Sequence, residues 1–186
     1  MFDIDIDLAD RNKLLDLIKH VPARIVDKRH NTGVYAHRVP VNPIDGFCTI
    51  DYKEVEQSFF KIDFLNLGIY NSVASEQHLL ELIHREPRWD LLNYREFVEQ
   101  LFHIGNHYNT VKQHLPQSIE QMAAVLAIIR PGKKHLIGES WDKIFQQVWV
   151  APTNGEYYFK KSHAFSYAMV VIVHMNLIVE QLKFSN

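Results

Sequence analysis

The stretch Phe2-Asp3-Ile4-Asp5-Ile6-Asp7-Leu8 constrains this chain more than any other. Acidic and aliphatic residues alternate with period two, the pattern of a strand with one apolar and one open face. It predicts Ile4, Ile6 and Leu8 in a core and Asp3, Asp5 and Asp7 in a row on the opposite face. Three carboxylates in one row repel each other, and a hard divalent cation is one way to remove that conflict. A solvated acidic edge that blocks strand-to-strand aggregation is the other. The heptapeptide alone leaves both open.

Composition narrows the setting. At 186 residues the chain can bury a real core, and its 20 Lys and Arg nearly balance 22 Asp and Glu. No overall basic field marks a nucleic-acid binder, so any such contact must come from local patches. The single cysteine, Cys48, excludes an internal disulfide and a cysteine-rich zinc module, which fits a cytoplasmic setting. The opening residues lack the pattern of a signal peptide. The apolar stretch Ala164 to Val179 is interrupted by Ser166, His174 and Asn176, and reads as a buried helix rather than a membrane span.

Along the chain, Asp10 is placed to cap a helix running to about His20, ended by Pro22. A basic turn, Lys28 to Asn31, precedes a strand from Thr32 to Ala36. Pro40, Pro43 and Asp45-Gly46 mark a loop, and Phe47 to Tyr52 reads as a short strand. Ser58 to Leu65 is the strongest later strand, carrying Lys61 and Asp63 on one face. Charges inside so apolar a strand need partners, and the aspartates of the first strand are the simplest ones. Helices are predicted over Val73–His84, Leu92–His103, Ser118–Ile129, Ser140–Val148 and Ser162 to about Lys183. Ser118 and Gln121 form a capping-box pattern. Strands first and helices second make an α+β chain, with a strand-rich region 1–69 and a helical region 70–186 in one compact unit.

Several segments, in order, resemble the alpha subunit of bacterial DNA polymerase III, the family C polymerases. Phe2 to Leu8 resembles the family's Pro-Asp-Ile-Asp-Ile-Asp-Phe strand. Arg29-His30-Asn31-Thr32-Gly33-Val34 is similar to Lys-His-Ala-Gly-Gly-Val, and Lys61 to Leu67 to Lys-Phe-Asp-Phe-Leu-Gly-Leu. Ile129 to Lys133 resembles Tyr-Arg-Pro-Gly-Pro. Tyr158-Phe159-Lys160-Lys161-Ser162-His163-Ala164, followed by Ser166-Tyr167-Ala168, is similar to Phe-Asn-Lys-Ser-His-Ala with its trailing Tyr-Ala.

The resemblance implies a small mixed sheet like a polymerase-beta-type nucleotidyltransferase palm, followed by helical fingers. It implies two Mg²⁺ ions, or Mn²⁺ in their place, on Asp3, Asp5 and Asp63, with Asp7 a spare acid. Lys61 would stand beside the triphosphate or primer end. Arg130, Lys160, Lys161, Ser162 and His163 would hold phosphates from the fingers side, and Arg29 and His30 from the palm side. The implied partners are a DNA primer–template and a dNTP. Because the chain opens on the acidic strand, the family's upstream Gly-Ser loop and hydrolase-like domain are expected to be missing from it. Only about two dozen residues separate the first strand from Gly33, where the family carries a helical thumb. A partner chain is one source for the lost parts.

Two function classes follow. The first is a minimal nucleotidyltransferase, with weak, distributive DNA synthesis that Asp5→Asn or Asp63→Asn abolishes while sparing the fold. The second is a polymerase-derived protein that binds DNA, nucleotide or a replication partner without catalysis. Lys28 and Lys133 join Arg29, Lys61, Arg130, Lys160 and Lys161 in the basic patch that either class needs. His103 and His107 have i, i+4 spacing but Gly105 lies between them, so they read as ordinary polar positions. Trp89, Trp141 and Trp149 read as packing residues.

Overall fold

The computed structural model describes residues 3–55, 59–153 and 155–184. Phe2, Ser58 and Asn154, and the side chain of Asp3, lie outside the described residues. The fold is mixed α and β. It divides into two compact units, Met1–Val73 and Ala74–Asn186. The boundary falls after residue 69 because a 3-10 turn, Gly68–Ser72, follows directly on the last strand.

The first unit is built on β1 (Asp3–Leu8), α1 (Arg11–Leu15), β2 (Val21–Ile25), β3 (Lys28–Tyr35), α2 (Tyr52–Val55) and β4 (Lys61–Asn66). The four strands form one sheet in the order β1-β4-β3-β2. β1 runs parallel to β4, and the other pairs are antiparallel. One face carries Leu15, Val34 and Phe64, joined by Leu8, Leu14, Ile18 and Ile62. A second small cluster, Ala23, Tyr35 and Cys48, gathers Val21, Val39, Ile50, Tyr52 and Phe59.

Five local expectations change. Ile4 and Ile6 are 50% and 36% exposed, because β1 is an edge strand and α1 packs along β4. The Asp10 side chain caps α1 by accepting from Asn12 N at 3.0 Å, but the helix stops at Leu15 and the chain re-enters the sheet. Pro22 lies within β2, tolerated because that strand is the other edge of the sheet. Lys28 to Asn31 belong to β3; the reversal occurs at Val26, at φ +55°. Phe47 to Tyr52 forms isolated bridges, Val41 with Cys48 and Arg24 with Asp51, before α2 begins.

The second unit contains α3 (Glu76–His84), α4 (Arg95–Val98), α5 (Tyr108–His114), α6 (Ile119–Ile128), α7 (Trp141–Gln147) and α8 (Lys161–Phe184), linked by 3-10 turns. Seven successive residues of α6, Met122 to Ile128, are fully buried, as expected of a helix that is apolar all round. It packs on α8, whose Ala164, Ala168, Val171, Met175 and Ile178 join the same core. Trp89, Trp141 and Trp149 pack against that core. Ser118 Oγ accepts from Gln121 N at 3.2 Å, the expected cap. Ser75 does the same for α3, accepting from His78 N at 3.1 Å. The predicted helix Leu92–His103 is broken: only Arg95–Val98 is α-helical, and His103 adopts φ +63°. By length and composition Lys161–Leu182 could cross a membrane, but 56% of its most apolar window is buried within the protein.

Candidate functional site

The polar face of the sheet in the first unit follows from strand register. In the parallel β1–β4 pair Asp3 lies opposite Lys61, and Asp5 opposite Asp63. Partnered residues project to the same face, and neighbouring strands lie about 4.8 Å apart. Asp5 and Asp63 are thus adjacent carboxylates on one surface. From β3, Gly33 is paired with Asp63 on its other side.

Asp63 is 8% exposed and Lys61 only 3%. The Lys61 ammonium bonds Asp63 Oδ2, and the Thr32 hydroxyl donates to Asp63 Oδ1 at 2.7 Å. Gly33 is dictated by this crowding: a Cβ there would stand 2.8 Å from Lys61 Cδ, 3.0 Å from His30 Nδ1 and 3.2 Å from Asp63 Oδ1. The Lys61 ammonium also lies 5.6 Å from the centre of the Tyr52 ring.

His30 closes the group. Its Nδ1 accepts from Gly33 N at 2.9 Å, which fixes the proton of the neutral ring on Nε2. Nδ1 is also 3.7 Å from Asp63 Oδ1, but the nitrogen is already an acceptor and the contact is not an ion pair. Burial holds the His30 pKa below its ordinary value, outweighing the pull of Asp63, while Lys61 and Arg11 push the same way as burial. Asp7 has its pKa raised, first by burial and then by Asp5. It in turn helps raise that of Tyr70, which burial dominates.

The oxygens on this face are the kind of donor a hard divalent cation would use. Asp5 and Asp63 are the described carboxylates from adjacent strands that would offer oxygens to Mg²⁺ or Mn²⁺. Among the described residues no three His, Cys, Asp or Glu side chains are grouped as ligands. The third expected ligand, Asp3, belongs to the row by its β1 register. An ion held by Asp63 must share that carboxylate with Lys61 or displace it.

Arg29 is exposed on β3 and, with Arg11, Asn12, His30 and Asn31, lines a cleft of about 270 Å³. Arg11 was not singled out by any motif. It is a buried arginine at the start of α1, and only the Asp10 cap, which sets where that helix begins, pointed toward it.

In the second unit, two motifs distant in sequence meet. Gly132 N donates to Tyr157 O at 2.9 Å, and a Cβ at Gly132 would lie 2.9 Å from that oxygen. This close approach puts the Arg130 guanidinium 4.9 Å above the ring of Phe159. Phe159 in turn stacks on His163 at 6.3 Å and lies 5.2 Å from Tyr167. Lys160, Lys161 and Ser162 are exposed at the start of α8. Lys133 leaves the expected basic patch: it is buried, and its ammonium donates to Gln147 O at 2.7 Å.

His103, passed over as an ordinary polar residue, sits in this cluster, 4.3 Å from Tyr167. Its Nε2 is buried without a hydrogen-bond partner among the described residues. Burial, with Arg130 adding to it, lowers its pKa to about 4. No spacing rule flags such a residue; its left-handed backbone, beside Gly105, is the local feature that turns it inward.

No family model, curated protein or solved structure matches this chain.

Proposed function

We propose that the chain is a minimal nucleotidyltransferase of the DNA polymerase III alpha type, adding dNTPs to a DNA 3′-hydroxyl with Mg²⁺ or Mn²⁺. On this reading the first unit is a polymerase-beta-like palm, the second a reduced fingers region, and the setting cytoplasmic. The observation that carries the proposal is the register of Asp5 against Asp63 on adjacent parallel strands, with Asp3 in the same row. Asp3, Asp5 and Asp63 would hold the divalent ions, whose chemistry there would be activation of the attacking hydroxyl and neutralisation of the leaving pyrophosphate.

The chain's own residues orient and neutralise. Thr32 and Lys61 fix the Asp63 carboxylate from two sides, and His30 fixes the β3 backbone beside it. Arg130, Lys160, Lys161, Ser162 and His163 are assigned to nucleotide or DNA phosphates. Synthesis is distributive, because duplex grip needs a surface that about two dozen residues before Gly33 do not build.

Primer extension with Mg²⁺ or Mn²⁺ tests this. Wild type should extend a primer, and Asp5→Asn should reduce incorporation by about a hundredfold or more, as loss of a principal electrostatic element does. A second reading has one observation in its favour: Asp63 is already neutralised by Lys61. It makes the chain a polymerase-derived binding protein. If wild type and Asp5→Asn are equally inert but bind DNA or dNTP equally well, that reading replaces the first.

A further inference from the structure

We infer that the cleft beside α1 is a phosphate-binding pocket organised by Arg11. Arg11 is about nine-tenths buried, yet only Nη1 is engaged, donating to the Asn31 carbonyl. Its Nε and Nη2 have no hydrogen-bond partner among the described residues. Burial lowers its pKa, and the nearby charge of Arg29 lowers it further, against a smaller opposing pull from Asp63. A buried cation with unused donors, beside a second cation, is a costly arrangement that an anion relieves.

The cleft of about 270 Å³ is lined by Arg11, Asn12, Arg29, His30 and Asn31. The ionised groups on that wall are both arginines, and the neutral His30 carries its proton on Nε2. Arginine forks match the tetrahedral oxygens of a phosphate group. Arg11 Nε and Nη2 are closed off from water, so on this inference a phosphate entering the cleft would turn the terminal torsions of Arg11 to reach them. Arg11 N is tied to Asn66 Oδ1 at 2.7 Å, next to the strand that carries Lys61 and Asp63. The pocket adjoins the Asp63 carboxylate, because His30 lines it and its Nδ1 lies 3.7 Å from Asp63 Oδ1. Assigning its phosphate to a nucleotide or a DNA strand rests on the nucleotidyl-transfer reading; the anion site itself does not.

The test is equilibrium binding of the full chain in EDTA, with tripolyphosphate and a single-stranded oligonucleotide as separate probes. Arg11→Lys and Arg29→Ala are compared with wild type, with circular dichroism as the check on folding. Each variant should weaken at least one probe about tenfold, the scale of one lost charge-assisted contact. Loss confined to tripolyphosphate assigns the pocket to a nucleotide; loss confined to the oligonucleotide assigns it to a DNA strand. Should Arg11→Lys not fold, Arg29→Ala decides alone, because its side chain is exposed. Unchanged binding of both probes in every folded variant, or no binding by wild type, overturns the inference. An inert enzyme that still shows these losses would end the polymerase reading and leave the pocket standing.

Discussion

Lys61 and Asp63, assigned to chemistry by the proposed function, are also a nearly buried ion pair within one strand. Their pairing is nearly sealed from water, so Asp63→Asn is not the silent control that the sequence suggested. Removing the carboxylate that faces a buried ammonium typically costs about 3–5 kcal/mol. Urea melts should show a loss on this scale for Asp63→Asn, and Lys61→Met/Asp63→Asn should be less destabilised than the two single changes sum to. Additive losses would mean the pair is not coupled. Asp5→Asn, exposed on the edge strand, is the cleaner control for the proposed catalysis. Gly33→Ala makes the same point from the backbone side. Its methyl group would meet Lys61, His30 and Asp63 at or near contact limits. The overpacking should cost about 1–3 kcal/mol, read in the same melts. Stability unchanged by that methyl would contradict the crowding.

Among elements, legibility followed the strength of the local signal. α6 and α8 were readable because long apolar stretches, marked for α6 by the Ser118 cap, leave few alternatives. The pairing of the two acidic strands was readable too, since charges in apolar strands demand a common face. The β2–β3 hairpin was not, because its reversal uses Val26 at positive φ where glycine or asparagine would have announced a turn. The second helix of the α-rich unit failed for a related reason. Apolar spacing over Leu92–His103 is compatible with 3-10 turns that bury the same residues. At the site, Asp5, Lys61 and Asp63 could be named from pattern and resemblance, whereas Arg11 had only the neighbouring Asp10 cap to point to it and His103 depends on a backbone turn with no sequence marker. Edge position also sets what the strands tolerate. Ile4→Thr on exposed β1 should change stability by less than about 0.5 kcal/mol, while Phe64→Ala on the covered face of β4 should cost about 3–5 kcal/mol. Equal costs in thermal melts would mean that the edge of β1 is covered in solution.

For the whole molecule, the histidines set the response to acid. Burial lowers the pKa of His30, His103, His107, His114 and His174, that of His103 to about 4. Each of these rings takes up its proton at lower pH in the folded chain than in the unfolded one. The unfolded state therefore binds more protons between about 6.5 and 4, and stability falls as pH drops through that window. Asp7, with its raised pKa, acts in the opposite sense but only on approaching the carboxylate range. Asp45, Asp51, Asp90 and Glu180 have lowered values, so their contribution is kept until pH falls below about 4.5. Between pH 6.5 and 4.5 the histidines prevail. The full shift of His103 corresponds to about 3 kcal/mol, and solvent screening of a partly buried ring reduces this to about 1–2 kcal/mol. His103→Asn is the sharp test, because asparagine accepts the left-handed backbone at that position but does not titrate. Urea melts from pH 7.5 to 4.5 should show wild type losing stability steadily. The variant should lose about 1–2 kcal/mol less over the same range. If both lose the same amount, His103 takes up its proton in the folded chain as readily as in the unfolded one. Its position beside Arg130 and Tyr167 would then be open to water.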